Sequence, residues 1–151
     1  MKPLFVLLIV FIISFLIVKY IKGHFEFAIP GRIAMSVMLL FTAVGHFLYA
    51  KGMSMMVPTF IPYKTELVYI TGFFEIIAAI TLFIPSLRIV MGWMLIIFFI
   101  LVLPSNIYAA INHINYQTGT FDGMGVSYLW FRIPLQMVFI IWTYYCSVKM
   151  L

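Results

Sequence analysis

Residues 89–111 read IVMGWMLIIFFILVLPSNIYAAI, an apolar run of 23 residues that contains no charged side chain. A helix rises about 1.5 Å per residue, so about 20 such residues cross the hydrocarbon core of a bilayer. A soluble protein of this size could not hide so continuous an apolar surface from water. The run therefore predicts a transmembrane helix.

Four further stretches have the same character and lie at residues 3–21, 31–50, 67–84 and 128–148. Turn-forming residues separate them: Pro30-Gly31 opens the second stretch, and Pro85-Ser86 closes the third. Short connections favour antiparallel neighbours. We predict an all-α membrane protein, a single integral membrane domain over residues 1–151 built as an antiparallel transmembrane bundle of five helices.

The composition excludes several other classes of protein. The chain is 66% hydrophobic and 9% charged, whereas a soluble domain is about 25% charged. Its basic residues give a net charge of +5 but stand singly, so no basic face for nucleic acid is predicted. Cys146 is the single cysteine and is expected to be a packing residue. No phosphate-binding loop or nucleophile elbow occurs, and we assign no catalytic residue and no metal ligand.

The basic residues also suggest an orientation. We name side A the side of the membrane that holds the N-terminal end of the first helix, and side B the opposite side. Side B then carries Lys19, Lys22, Arg32, Arg88 and Lys149, and side A carries Lys2, Lys51 and Lys64. This bias favours side B as the cytoplasmic side. We predict a bacterial inner membrane protein with an outside N-terminus and a cytoplasmic C-terminus, its first helix retained as an anchor.

A few polar side chains interrupt the apolar runs, and such residues are functional candidates because lipid penalises them. Their distances from the side A ends of their helices are ~7 Å for His46 and Arg132, ~9 Å for Asn106 and ~13 Å for Glu75 and Gln136. All five therefore lie in the same half of the bilayer. The predicted ligand-binding residues are His46, Glu75, Asn106, Arg132 and Gln136.

Helical spacing indicates how these residues face one another. Tyr128, Arg132 and Gln136 are four residues apart and form one stripe. Gly72 precedes Glu75 by three residues and would let a neighbouring helix approach closely. The simplest partner for the Glu75 carboxylate is Arg132, whose guanidinium can satisfy both of its oxygens.

Each candidate also has a simpler interpretation. Glu75 and Arg132 could form only an interhelical lock, and Asn106 could only cap the carbonyl that Pro104 frees by kinking its helix. His46 could be an ordinary hydrogen-bonded histidine near a helix end. His46 and His113 together could bind a haem iron or another metal, which is the weaker alternative because no third ligand spacing or haem attachment motif supports it.

The connection at residues 51–64 is unusually apolar and contains several methionines, together with Pro58 and Pro62. Two prolines four residues apart forbid a continuous helix there. The segment is expected to lie on the membrane surface as an anchor or to fold over the mouth of the bundle as a lid, with flexible methionines adapting to what lies beneath.

Several motifs together resemble the DoxX-like family of small bacterial membrane proteins. They are Ala43-Val44-Gly45-His46-Phe47, residues 56–62 (MVPTFIP), Gly72-Phe73-Phe74-Glu75, residues 85–88 and Leu103-Pro104-Ser105-Asn106-Ile107. The resemblance covers about residues 31–145 and implies a four-helix core, with the first helix as an addition. It also implies that Gly45, His46, Glu75, Pro104 and Asn106 belong to one site, and that relatives take part in membrane redox or thiol-stress assemblies.

These observations lead to two functional hypotheses. In the first, the polar residues line a pocket that binds a small lipophilic ligand such as a quinone, and the protein is an accessory subunit of a membrane redox complex with redox partner proteins. In the alternative, the protein is a non-enzymatic membrane scaffold whose polar cluster only specifies helix packing. Proton or solute translocation is less favoured, because side B offers few polar residues beyond Arg32 and Ser36.

Overall fold

The computed structural model of the protein describes residues 2–149. Within that range the chain is helical and contains no β-strand. Its α-helices are α1 (Lys2–Lys22), α2 (Ala28–Leu48), α3 (Ala50–Met56), α4 (Lys64–Thr81), α5 (Arg88–Ile111) and α6 (Leu129–Thr143). A 3₁₀ turn at Gly125–Tyr128 leads into α6, and a π-helical segment at Tyr144–Lys149 continues from it.

Four helical segments are long and apolar enough to cross a membrane: Lys2–Lys22, Ala28–Leu48, Arg88–Ile111 and Gly125–Lys149. The protein is therefore a helical bundle of the membrane class, as predicted. The fifth predicted span corresponds to α4, which is a helix but does not meet the same criterion of length and composition. Its 18 residues include three charged side chains, Lys64, Glu66 and Glu75.

The helix boundaries differ from the predicted ones where proline acts. Helix α2 begins at Ala28 and includes Pro30 in its first turn, where the missing N–H costs no helical hydrogen bond. The connection predicted after it contains α3, which ends at Met56 because Val57 takes the extended conformation that precedes a proline. Prolines thus permit a helix before Pro58 and an irregular segment after it.

The distribution of apolar side chains suits a lipid environment. Helix α1 buries Leu7 completely, while Ile12 and Leu16 on its outer face are more than half exposed. The interior cluster is built around Met35, Leu39, Leu82 and Leu95. Because lipid tails are as apolar as leucine, exposed isoleucine and leucine side chains cost nothing there, and helices associate through close packing and polar contacts.

Glycines allow the ends of two helices to pack against the C-terminal π-helical segment. A β-carbon added at Gly31 would overlap Cys146 Sγ, and one added at Gly92 would lie 3.0 Å from Ser147 Cβ. The Trp142 indole also donates a hydrogen bond to the Gly31 carbonyl oxygen at 3.0 Å. Cys146 is a buried packing residue beside Gly31, in agreement with its predicted role.

We expect Gly31→Ala to lower the free energy of unfolding by about 1–3 kcal/mol, because the added methyl group overpacks the contact with Cys146. Thermal unfolding in detergent measures the change. Gly45→Ala is the control in the same helix, since its β-carbon would meet Met53 Cε at an ordinary 3.7 Å. Equal melting temperatures for the two variants would contradict this account of the packing.

Candidate functional site

The structure contains a cavity of about 570 Å³ whose walls include residues of all six α-helices. All five predicted ligand-binding residues are among those that line it: His46, Glu75, Asn106, Arg132 and Gln136. Most of the remaining wall is apolar and includes Met38, Phe98, Phe99, Leu135 and Phe139. The structure therefore brings the five predicted residues to one site.

Helical periodicity explains why these side chains share the cavity. On α2, Thr42 and His46 are one turn apart, and on α6 Arg132 and Gln136 are one turn apart. Each pair therefore points to the same side of its helix. Glu75 follows the lining residue Thr71 by four positions on α4.

His46 is the ionisable side chain that lies next to Glu75. His46 Nδ1 lies 3.1 Å from Glu75 Oε2, and the Glu75 side chain is only 5% exposed. The contact is possible because Gly72, one turn before Glu75, lets α2 approach: a β-carbon there would lie 3.0 Å from His46 Cβ. The predicted close approach at Gly72 is thus confirmed.

The predicted pairing of Glu75 with Arg132 is wrong. Helix α4 packs against α2 and presents Glu75 to His46, whereas α6 packs against α5 and presents Arg132 to Asn106. Helical spacing places each side chain on a face of its own helix. It does not say which neighbour that face meets.

A single hydrogen on His46 Nδ1 has two possible acceptors. The same nitrogen lies 3.0 Å from the Thr42 carbonyl oxygen and 3.1 Å from Glu75 Oε2. An imidazole nitrogen carries at most one hydrogen. Glu75 Oε2 is fully buried and has no hydrogen bond of good geometry among the described residues, so the carboxyl group retains the capacity to accept another donor.

Arg132 holds Asn106 in a defined orientation. Arg132 Nε donates to Asn106 Oδ1 at 3.1 Å, and Arg132 Nη1 donates to the Tyr128 hydroxyl oxygen at 3.2 Å. The guanidinium only donates, so the amide oxygen of Asn106 must face it. Asn106 Nδ2 takes no part in this contact. It is buried and has no hydrogen-bond partner among the described residues.

Gln136 donates a hydrogen bond to a backbone carbonyl oxygen near Pro104, whereas Asn106, for which a capping role was one alternative, does not. Pro104 lies inside α5 and weakens the helical hydrogen bonding of the preceding turn. Gln136 Nε2 donates at 2.6 Å to the carbonyl oxygen of Phe99, one residue before Ile100, whose carbonyl loses its helical donor at Pro104. Asn106 forms no such bond among the described residues.

The methionine-rich connection covers part of the cavity. Met53 and Met56 of α3 and Val57 line it, together with Tyr116 from the loop that follows α5. These two segments are locked together at Gly52, where an added β-carbon would overlap the Tyr116 carbonyl oxygen. Within the same connection, Phe60 is 82% exposed. The segment thus has one part that covers the cavity, as expected for a lid, and one part that points outward, as expected for a surface anchor.

His113 is separate from this site. Its backbone adopts a left-handed conformation with φ of 52°, its ring packs against Gly125, and its Nδ1 lies 3.3 Å from the Gly123 carbonyl oxygen. His113 is not among the residues that line the cavity with His46. In the described part of the chain, no three histidine, cysteine or carboxylate side chains are grouped as metal ligands.

Sequence reasoning missed some lining residues. Thr42 supplies the carbonyl that orients His46, and Lys2 reaches the cavity from the start of α1. The position of Thr42 four residues before His46 was a usable signal. Lys2 was treated only as a charge that sets orientation, and its closeness to the cavity depends on how α1 packs against α2.

Comparison with protein families places these residues within the range of one family model. Residues 35–147 match the model for a domain of unknown function (DUF8561). The chain therefore belongs to the DUF8561 family, and the matched range includes all five predicted site residues. Comparison with curated proteins and with solved structures gives no match.

We expect His46→Ala to destabilise the protein by about 1–3 kcal/mol, because it removes the partner of a buried carboxyl group. Thermal unfolding in detergent gives the change. His24→Ala is the matched control, since the His24 side chain is 67% exposed. A second change, Glu75→Leu, should restore much of the loss by removing the unpartnered polar group. If His46→Ala and the control have the same melting temperature, the contact between His46 and Glu75 makes no measurable contribution to stability.

Proposed function

We propose that the protein binds a small lipophilic ligand with a polar head group, such as a quinone, in the 570 Å³ cavity. Ligand sites have volumes of roughly 300–1,000 Å³ and combine apolar walls with a few convergent polar groups. The resemblance to the DoxX-like family supports a role as an accessory subunit of a membrane redox complex.

In this proposal the bundle crosses the membrane with five antiparallel helices, α4 being the fifth span. Glu75 is the one charged residue of α4 beyond its first turn, and its pairing with His46 would reduce the cost of placing that helix in lipid. The charge bias described above supports a bacterial inner membrane location with the N-terminus outside. The cavity then lies in the outer half of the bilayer.

The observation that carries the proposal is a pair of buried polar atoms with unused hydrogen-bonding capacity, Asn106 Nδ2, which has no partner among the described residues, and Glu75 Oε2, whose neighbour His46 Nδ1 is shared with the Thr42 carbonyl oxygen. Asn106 Nδ2 is a donor and Glu75 Oε2 is an acceptor, and both are buried without a good hydrogen bond among the described residues. Leaving such groups unpaired costs about 1–3 kcal/mol each. A quinone would supply a carbonyl acceptor for Asn106 Nδ2, and its reduced form, a quinol, would supply a hydroxyl donor for Glu75 Oε2.

The residues would then have separate tasks. Asn106 and Arg132 would donate to a carbonyl oxygen of the ligand, while Glu75 would accept the hydrogen of a hydroxyl group. His46 would position the carboxyl group and share its proton. Apolar residues such as Phe98 and Phe139 would surround the ring and tail.

The scaffold alternative is supported by the fact that the polar contacts join different helices. His46 and Glu75 connect α2 with α4, and Arg132 and Gln136 connect α6 with α5. Such contacts specify which helices pack together. This role accounts for the bonded atoms but gives no reason for the unpartnered donor on Asn106.

We expect Asn106→Leu to weaken the binding of a short-tailed benzoquinone, and Glu75→Gln to weaken the binding of the corresponding benzoquinol, each by about tenfold, the loss expected for one buried hydrogen bond. Isothermal titration calorimetry on the detergent-purified protein measures the affinity. Asn112→Leu is the matched control, because Asn112 lies just beyond α5 and outside the cavity wall. Unchanged affinity in both cavity variants, with melting temperatures near the parent value, would favour the scaffold function.

A further inference from the structure

The cavity contains a permanent positive charge with no negative partner among the described residues. Arg132 forms its hydrogen bonds with the neutral side chains of Asn106 and Tyr128. Its Cζ atom lies 5.7 Å from the centre of the Tyr128 ring. No carboxylate of the described chain lies within ion-pair distance of it. A guanidinium group stays protonated in proteins, so this charge cannot be removed by titration.

The acidic residues of the chain are otherwise placed. There are four of them, and Glu75, which lines the cavity, lies beside His46. Glu26 pairs with Lys22 at 2.6 Å, and this pairing lowers the pKa of Glu26. Asp122 accepts a hydrogen bond from Thr120, and Glu66 is exposed at the start of α4. The protein itself therefore provides Arg132 with no counter-charge in the described structure.

The unused hydrogen-bond donors are concentrated around the same point. A guanidinium has five N–H groups, and the two bonds to Asn106 and Tyr128 use two of them. The unpartnered Asn106 Nδ2 is adjacent, since its own amide oxygen is bonded to Arg132. Lys2 adds a second cation to the cavity wall. Such a group of donors is complementary to a cluster of negatively charged oxygen atoms.

The cavity also offers space for a hydrocarbon tail. Beyond the polar residues its wall is formed by residues such as Phe98, Phe99 and Leu135. Two other lining residues, Leu48 on α2 and Leu101 on α5, are about 70% exposed on the outer surface of the bundle. A tail could therefore extend from the cavity to the surface that faces lipid.

We propose that the ligand is an acidic amphiphile whose carboxylate or phosphate group binds Arg132 and Asn106 Nδ2 and whose single hydrocarbon chain occupies the apolar wall. This inference rests on the proposed lipophile-binding function and specifies the charge of the head group. A neutral carbonyl would accept hydrogen bonds but would leave the Arg132 charge uncompensated in a medium of low dielectric constant, where isolated charges are costly.

The test uses ligands that share a tail and differ in head group. Oleate, oleyl alcohol and oleoyl lysophosphatidic acid are titrated into the full chain in a neutral detergent, with a short-tailed benzoquinone as the neutral ring compound. Calorimetry measures the affinities. We expect both acids to bind at least 30-fold more tightly than the alcohol, which corresponds to about 2 kcal/mol. The acid that binds more tightly shows whether the site prefers a carboxylate or a phosphate head group.

Variants then test whether Arg132 is the residue that causes the preference for acidic head groups. Arg132→Met should reduce oleate affinity to that of the alcohol and leave alcohol binding within threefold, whereas Arg132→Lys should keep part of the preference for acids. Arg88→Met is the matched control, since Arg88 is also a half-buried helix arginine but does not line the cavity. The comparison of head groups on the unmodified protein gives a result even if Arg132→Met does not fold.

The possible outcomes separate the two proposals. If the benzoquinone binds and its affinity depends on Asn106, while oleate binds no more tightly than the alcohol, the acidic head group is refuted and the lipophile-binding function stands. If no compound binds, both proposals fail. A preference for acids that Arg88→Met abolishes and Arg132→Met preserves would also overturn the inference, because it would place the anion elsewhere.

Discussion

The polar side of the cavity depends on the close approach of α2 and α4 at Gly72. That approach brings His46 Nδ1 within 3.1 Å of Glu75 Oε2. In an apolar surrounding an unpaired carboxylate would be expensive, so the contact permits an acidic residue to remain in the interior. A larger side chain at Gly72 would separate the helices at the point where this acid needs its partner.

A second polar unit lies on the wall formed by α5 and α6, and it joins these two helices through hydrogen bonds. Arg132 and Gln136 on α6 bind a side chain and a backbone carbonyl of α5, respectively. Each unit thus satisfies most of its hydrogen bonds within one pair of helices. Residues of both units line the cavity, and the two buried polar atoms with unused hydrogen-bonding capacity, Asn106 Nδ2 and Glu75 Oε2, come one from each unit. A ligand bound there would connect the two pairs of helices.

Much of the site was predictable because lipid makes polar residues conspicuous. His46, Glu75, Asn106, Arg132 and Gln136 interrupt otherwise apolar runs, and counting the rise along each helix placed them at similar depth. The prediction of the partner of Glu75 failed for a physical reason. Charge complementarity favoured Arg132, but the partner of a side chain is decided by which helices pack together, and here Gly72 lets α4 pack against α2.

The sequence by itself determined the membrane class of the protein, its long apolar helices and the five polar residues that line the cavity. Apolar runs of about 20 residues and the few polar side chains within them contain that information, because the hydrocarbon core imposes both length and polarity. Only the tertiary structure decided that Glu75 meets His46, that Asn106 is turned by Arg132, and that Lys2 reaches the cavity. These contacts join residues far apart in the chain, and helical periodicity describes a single helix without specifying its neighbours.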